Sequence, residues 1–132
     1  FTGIVPYEEV PKYINAFDLG FALDDEERLK RVGNSYQKLR QYLACGKPAI
    51  TCKGADGALE ESGLVAFVSP GDLDAILREA TAILGRTKAV CEKTSRLAAG
   101  YAKANLSTET ALQRRIENWT RRFRALRPQD AG

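Results

Sequence analysis

The sequence contains no histidine, and this absence removes several kinds of site from the chain. Histidine general acid–base catalysis, Ser-His-Asp triads and histidine-ligated metal ions are excluded within these 132 residues. Cysteine is scarce as well, since only Cys45, Cys52 and Cys91 occur, scattered and odd in number. They fit neither a disulfide framework nor a metal-ligand spacing, so we expect small buried core residues in a reducing cytoplasm.

Long apolar runs and a strong charge of either sign are also missing. No run is long enough to cross a bilayer, and the amino terminus lacks the layout of a signal peptide. The chain is 44% hydrophobic and 28% charged, which is ordinary for a folded soluble domain. Its net charge of +3 is too small to indicate nucleic-acid binding. The basic excess lies late in the chain, in Arg114, Arg115, Arg121, Arg122, Arg124 and Arg127.

Three short apolar runs have the length and composition of buried strands: residues 18–23, 49–52 and 64–68. Helical patterns separate and follow them, and the sequence has no internal repeat. Short apolar strands alternating with helices predict an α/β fold, with a parallel sheet covered on both faces. Three strands are few for a complete doubly wound domain, so we predict a partial Rossmann-like sheet with flanking helices and further strands before Phe1.

Four helical segments are predicted from apolar residues at helical spacing. They begin at Pro6, after Asp72, at about Thr87 and after Ser107. Their expected inward faces are, in order, Tyr7, Val10, Ile14 and Phe17; Leu73, Ile76, Leu77, Ala80, Ile83 and Leu84; Val90, Leu97 and Tyr101; and Leu112, Ile116, Trp119, Phe123 and Leu126.

Two other segments are predicted to be irregular. Residues 24–32 are highly charged and lack an apolar face, which favours an exposed loop, with a lid over a ligand as the alternative. Residues 54–57 contain two glycines and an aspartate and are predicted to turn.

The stretch Gly33–Pro48 combines a helix pattern with polar residues at its start. Asn34 and Ser35 can accept hydrogen bonds from free backbone N–H groups, and Gln37 follows Asn34 at the spacing of a capping box. Gly46 suits the left-handed position after a helix, and the closing proline stops its continuation. The stretch therefore predicts a short, well-capped helix.

In open α/β sheets, ligands bind beyond the carboxyl ends of the strands, where loops lead into helices. The start of this helix is such a place, because free N–H groups and the helix dipole favour a phosphate. Lys38 adds a cation in the first turn, and Gln41 follows on the same face. The helix is thus suited to a diphosphate and a ribose, although from the residues alone plain helix capping is the favoured explanation of Asn34 and Ser35. The stretch is neither a Walker loop nor a dinucleotide fingerprint.

The residues S-Y-Q-K-L-R-Q-Y-L-A-C-G-K-P-A-I at 35–50 resemble the S-P-x-K-L-x-E-Y-x-A-x-G-K-P-V-V signature in the C-terminal domain of GT-B fold glycosyltransferases, especially glycosyltransferase family 4 (group 1). The neighbouring blocks agree in order. Residues 1–20 resemble the family's F-x-G-x-V, helix and strand, and residues 57–76 resemble its turn glutamate and G-x-L-V-x-P-G-D segment. Residues 107–119 resemble its closing helix, so the resemblance covers nearly the whole chain.

This resemblance implies the donor-binding part of a nucleotide-sugar-dependent glycosyltransferase of polysaccharide biosynthesis. The acceptor would be a glycan or a lipid-linked glycan, the transfer would need no metal, and the nucleotide-diphosphate sugar would serve as donor without a further cofactor. The donor site that it implies consists of Gly33, Asn34, Ser35, Tyr36, Lys38 and Gln41. No catalytic residue is assigned. The chain alone is expected to be inactive, because the family's basic phosphate-site residues would precede Phe1.

Three residues depart from the family pattern. Gln41 stands where the family has the glutamate that binds the ribose, Gly33 stands where a paired glutamate would fall, and Tyr36 replaces a proline. An amide can still hydrogen-bond a ribose, but without the strength that a charge adds. These departures favour the rival interpretation, a degenerate non-catalytic module that binds a nucleotide or a protein partner. A related GT-B epimerase is a weaker third hypothesis.

The resemblance also divides the chain and suggests its partners. Residues 1–106 are predicted to form a partial nucleotide-sugar-binding domain, and residues 107–132 a crossover helix and frayed tail. An N-terminal domain is an expected partner. We interpret the aromatic face of the last helix as a packing face; if uncovered, it suits a dimer contact, and its arginines suit an anionic membrane surface. The predicted location is the cytoplasm, including the inner face of the membrane.

Overall fold

A computed structural model describes residues 3–32, 37–53 and 57–126 of the chain. After a 3₁₀ turn over Tyr7–Glu9, the elements in chain order are α1 Val10–Asn15, β1 Gly20–Ala22, α2 Glu26–Val32, α3 Gln37–Ala44, β2 Ala49–Cys52, α4 Gly57–Glu61, β3 Val65–Val68, α5 Leu73–Leu84, α6 Lys88–Tyr101 and α7 Thr108–Leu126. A π-helical turn over Ala102–Leu106 joins α6 to α7. Most of the turn predicted at residues 54–57 lies outside the described residues, and its last residue begins α4.

These strands form a three-stranded parallel sheet in the order β1-β2-β3. Phe21 of β1 is in register with Ile50 of β2, which is in register with Ala66 of β3. The predicted α/β class, with a small parallel sheet between helices, is confirmed. The strand predicted at 49–52 is confirmed to the residue, whereas β1 and β3 are shorter than the runs that predicted them.

Apolar clusters cover the sheet on both faces. One cluster joins all three strands to α3, α4 and the end of α6: Ala22, Leu39, Leu43, Ala49, Leu59, Val65, Ala98 and Ala102. The other joins β2 and β3 to α5: Ile50, Val68, Ala75 and Ile83. Because β2 is the central strand, all four of its residues are buried. The buried hydroxyl of Thr51 donates to the Ala22 carbonyl oxygen at 2.8 Å, so its burial leaves no polar group unsatisfied.

Most of the charged stretch 24–32 forms a helix, α2 over Glu26–Val32, so the prediction of a loop was wrong there. Asp25 caps this helix, since its Oδ1 accepts from the Arg28 N–H at 2.7 Å. Ion pairs four residues apart then connect successive turns, Lys30 with Glu26 at 2.8 Å and Arg31 with Glu27 at 3.9 Å. Capping and charge pairing therefore stabilise a helix that has no long apolar face.

Helix α5 has the predicted cap but not the predicted buried face. Oδ1 of Asp72 accepts from the N–H of Ala75 at 2.9 Å, which confirms the cap. Leu73, Leu77 and Leu84 were expected to point inward but are exposed. The helix contacts β2 and β3, and these two strands cover only the strip of α5 that faces them.

The first helix is also covered less than predicted. Ile14 is buried, but Tyr7 and Phe17 are exposed, so the expected face of four apolar residues is wrong at both ends. Tyr7 lies in the 3₁₀ turn, where the change of helical geometry moves it out of line with α1.

Of the three large residues predicted to face inward from α6, only Tyr101 packs against the core, beside the small residue Ala98. Val90 and Leu97 are exposed, whereas Ala98 is buried. The reason lies at the end of α3, where Gly46 has a φ of +68°, as predicted for the residue after this helix. A Cβ at Gly46 would lie only 2.9 Å from the Ser95 carbonyl oxygen, so α6 lies too close to α3 to admit large side chains.

Helix α7 begins as predicted, with the Ser107 hydroxyl accepting from the Thr110 N–H at 3.1 Å. Four of its five expected inward residues are exposed: Leu112, Ile116, Trp119 and Phe123. The side chain of the fifth, Leu126, lies outside the described part of the chain, and no described part covers the other four. Among the described residues, no helix is both long and apolar enough to cross a membrane.

Candidate functional site

The carboxyl ends of the strands lie together at one edge of the sheet, because the strands are parallel. The chain leaves β1 at this edge and returns to β2 from the opposite edge, by way of α2 and α3. Helix α3 therefore starts beside the carboxyl end of β1, where open α/β sheets bind their ligands.

Two of the six predicted donor-site residues fall within the described chain. Lys38 is exposed in the first turn of α3 and lies beside the end of β1, and Gln41 is half-buried one turn later. The other four lie outside the described residues, so their capping and diphosphate contacts stay predictions: Gly33, Asn34, Ser35 and Tyr36.

Tyr42 fixes α3 against β1. Its ring lies over Gly20, where a Cβ would come within 2.5 Å of the ring and force it away. Its hydroxyl donates to the Phe21 carbonyl oxygen at 3.4 Å. Burial raises the pKa of the Tyr42 phenol. Together these contacts set the position of Lys38 relative to the strand end.

A small cavity of about 110 Å³ opens between the end of β1, α2 and α3. The described residues that line it are Phe21, Ala22, Leu23, Asp24, Arg28 and Lys38. Two side chains are cations, one is a carboxylate and three are apolar. Its wall thus carries one net positive charge beside apolar surface, which suits a small anion.

Asp24 is the best-anchored polar residue of this cavity. Its backbone N–H donates to the Cys52 sulfur at 3.5 Å, and the Cys52 thiol donates to its carbonyl oxygen at 3.3 Å. Its side chain is only 13% exposed and forms an ion pair with Arg28, with 3.3 Å between Oδ1 and Nε. The end of β2 therefore holds Asp24, and Asp24 holds the guanidinium group of Arg28.

Sequence reasoning missed Arg28, because residues 24–32 were assigned to a loop. The signal was present in the spacing. Asp25 precedes Arg28 at the distance of an N-cap, and acidic residues stand four before basic ones throughout the segment. A helix predicted on those grounds brings Arg28 back over the end of β1.

No family model, curated protein or solved structure matches the chain. The similarity to family 4 glycosyltransferases therefore rests on the sequence blocks quoted above. What the chain does must be argued from those residues and from the geometry of the carboxyl edge.

A larger cavity, of about 660 Å³, lies at the opposite edge of the sheet. Its wall includes Phe17 at the end of α1, Leu84 at the end of α5 and Glu92 in α6. Lys47 also lines it and donates from Nζ to the Asn15 carbonyl oxygen at 2.9 Å, which ties α1 to the end of α3. Because open α/β sheets bind ligands at the carboxyl edge, we assign the candidate site to the smaller cavity.

The cysteines differ in burial, so the expectation that all three are core residues was wrong for one. Cys52 is buried at the end of β2, and Cys91 is exposed in α6. Cys45 is half-buried, and burial raises the pKa of its thiol despite the opposing charge of Lys47. Within the described ranges, no three cysteine or carboxylate side chains come together as a metal site.

Proposed function

We propose that this chain is the donor-binding part of a nucleotide-sugar-dependent glycosyltransferase, which transfers a sugar to a glycan or lipid-linked acceptor. The observation that carries the proposal is the position of Lys38, a cation of the quoted signature, in a cationic cavity at the carboxyl end of β1. Signature and geometry independently favour a phosphate at the same place.

In this proposal the diphosphate of the donor lies at the start of α3. Lys38 neutralises part of the charge that develops on the diphosphate as it leaves the sugar, which lowers the barrier to transfer. By resemblance, Gly33, Asn34, Ser35 and Tyr36 add contacts to the diphosphate. Gln41, one turn further along the helix, hydrogen-bonds the ribose with its amide. We assign the acceptor site and the catalytic base to no residue of this chain.

Calorimetric titration of the protein with UDP, GDP and their sugars tests the proposal. We expect one of the two nucleotide series to bind, and Lys38→Ala to weaken it about tenfold or more, as for loss of a charged hydrogen bond. Lys93→Ala, at a lysine of α6 that is also exposed, is the matched control and should leave binding unchanged. Binding of neither series would overturn the proposal.

A degenerate module that binds a nucleotide without transferring a sugar is the second candidate, and Gln41 is the observation that favours it. Gln41→Glu separates the two. In a working transferase the carboxylate should strengthen donor binding, because it adds a charged acceptor for the ribose hydroxyls. Both are assayed in the full-length protein, with the N-terminal domain that the resemblance implies. Nucleotide binding there with no release of sugar from the donor, in the native sequence and in this variant alike, would favour the degenerate module.

A further inference from the structure

We propose that Arg28 is a second phosphate-binding residue at the carboxyl end of β1, positioned by Asp24 and acting together with Lys38. The inference rests on the proposed function, since it names residues that receive a phosphoryl group of the same donor. It adds α2 to the site.

Arg28 is held at both ends. Its backbone N–H donates to Oδ1 of Asp25 at 2.7 Å, which fixes the first turn of α2. Its side chain reaches back one turn to Asp24, the residue anchored to the end of β2 through Cys52. An arginine ordered in this way loses less side-chain freedom on binding than a mobile one, which favours affinity.

The contact with Asp24 leaves most donors of Arg28 available to a ligand. A guanidinium group has five N–H donors, and the ion pair with Asp24 lies at Nε, which carries only one of them. The side chain is 52% exposed, so a ligand can reach its two terminal nitrogens. Their parallel N–H groups match two oxygens of a phosphate, which a lysine cannot do.

The other cations of α2 are already engaged. Lys30 and Arg31, on the same helix, pair with Glu26 and Glu27. Lys38 has no ion-pair partner among the described residues and faces the same cavity as Arg28. The two cations against the single carboxylate of Asp24 leave a net positive charge for an anion.

The size of the cavity determines which part of the donor it takes. Its volume of about 110 Å³ equals that of roughly three or four water molecules, so it holds one phosphoryl group and no nucleoside. The nucleoside must extend outside it. We therefore expect Arg28 to affect the binding of diphosphates and to leave the binding of nucleosides unchanged.

Titrations with UDP, GDP, uridine, guanosine and inorganic pyrophosphate test this inference. Arg28→Ala should weaken the binding of the preferred nucleoside diphosphate and of pyrophosphate about tenfold or more. It should leave the binding of the matching nucleoside unchanged. Arg28→Lys should recover part of the loss, because it restores the charge but not the paired contact. Asp24→Asn should weaken the binding of the diphosphate less than Arg28→Ala does, and it too should leave the binding of the nucleoside unchanged. Arg78→Ala, an exposed arginine of α5 paired with Glu79, is the control that should change nothing.

The outcomes separate this inference from the proposed function. Wild-type affinity for diphosphates in Arg28→Ala, with weakened binding in Lys38→Ala, would overturn the role of Arg28 and leave the proposed function standing. Pyrophosphate binding that depends on Arg28, without binding of UDP or GDP, would support the site and overturn the nucleotide-sugar donor. Equal loss of nucleoside and diphosphate affinity in Arg28→Ala and Arg28→Gln would show a structural role and contradict the inference.

Discussion

Strand β2 and helix α7 are the two extremes of burial in this molecule. Strand β2 lies between two other strands and beneath helices on both faces, so all four of its residues are buried. Helix α7 contacts the π-helical turn that precedes it, and its apolar residues from Leu112 to Phe123 face solvent. Both segments have a regular pattern, but only β2 has neighbours on every side.

The ability of a helix face to pack and the burial of that face are two separate properties. An apolar stripe at helical spacing indicates which face of a helix is able to pack, and the 19-residue helix α7 has such a stripe from Leu112 to Phe123. Burial of that stripe requires a second layer, and no described residue provides one. Apolar faces of this kind commonly mark interaction surfaces. The expected contacts of α7 with an N-terminal domain, a second copy or a membrane stay predictions.

The same substitution in the core and in α7 tests whether the two regions differ in burial in solution. Leu43→Ala removes a side chain that is 0% exposed in the core beneath the sheet. We expect it to lower the free energy of unfolding by about 2–5 kcal/mol, because it leaves a cavity. Leu112→Ala truncates the same residue type where it is 57% exposed, and should change stability by no more than about 0.5 kcal/mol. Urea denaturation measures both, and equal losses would mean that α7 is packed in solution.

A second test concerns the close approach of α6 to α3. Gly46→Ala places a Cβ at a φ of +68° and against the Ser95 backbone, so both strain and collision oppose it. We expect a loss of about 2–4 kcal/mol, combining a left-handed backbone with overpacking. Gly63→Ala has a similar φ of +64° and open space around it, so it should lose only about 1–2 kcal/mol. If the two variants are equally stable by thermal denaturation, the contact with Ser95 is unimportant.

The sequence pattern predicted the fold where an element has neighbours on every side. It failed where burial depends on which other elements pack against a face. The pattern of four buried residues predicted β2 to the residue, because a central strand excludes water from both faces. Large apolar residues of α6, such as Leu97, were assigned inward, but close packing against Gly46 requires small ones there. Such exchanges depend on the distance between two helices, which no local pattern contains.

The site was predictable in part for a related reason. The place of Lys38 followed from the rule for carboxyl edges and from the start of α3, both of which are local. The place of Arg28 depended on recognising α2, whose stability comes from capping and charge pairs rather than from an apolar face. The anchor of Asp24 on Cys52 joins residues 28 positions apart and could not be predicted from spacing.

Helix α2 is exposed like α7, but its stability depends on charge pairs rather than on apolar contacts. Glu26 accepts from Lys30 at 2.8 Å, and this hydrogen bond, followed by the charge of Lys30, lowers the pKa of Glu26. A pKa lowered in the folded protein means that the carboxylate stabilises α2 above its unfolded pKa, and that this contribution is lost as pH falls through the folded pKa. Glu26→Gln should remove this dependence of stability on pH, and Glu27→Gln, whose partner Arg31 is 3.9 Å away, should alter it less.

An NMR titration of the Glu26 carboxyl group measures the pKa shift directly. Because the pair is fully exposed, the effect should be the smallest of those predicted and should vanish in concentrated salt. A pKa shift that persists in salt would mean that a covering layer excludes water from α2. No described residue forms such a layer over the apolar face of α7.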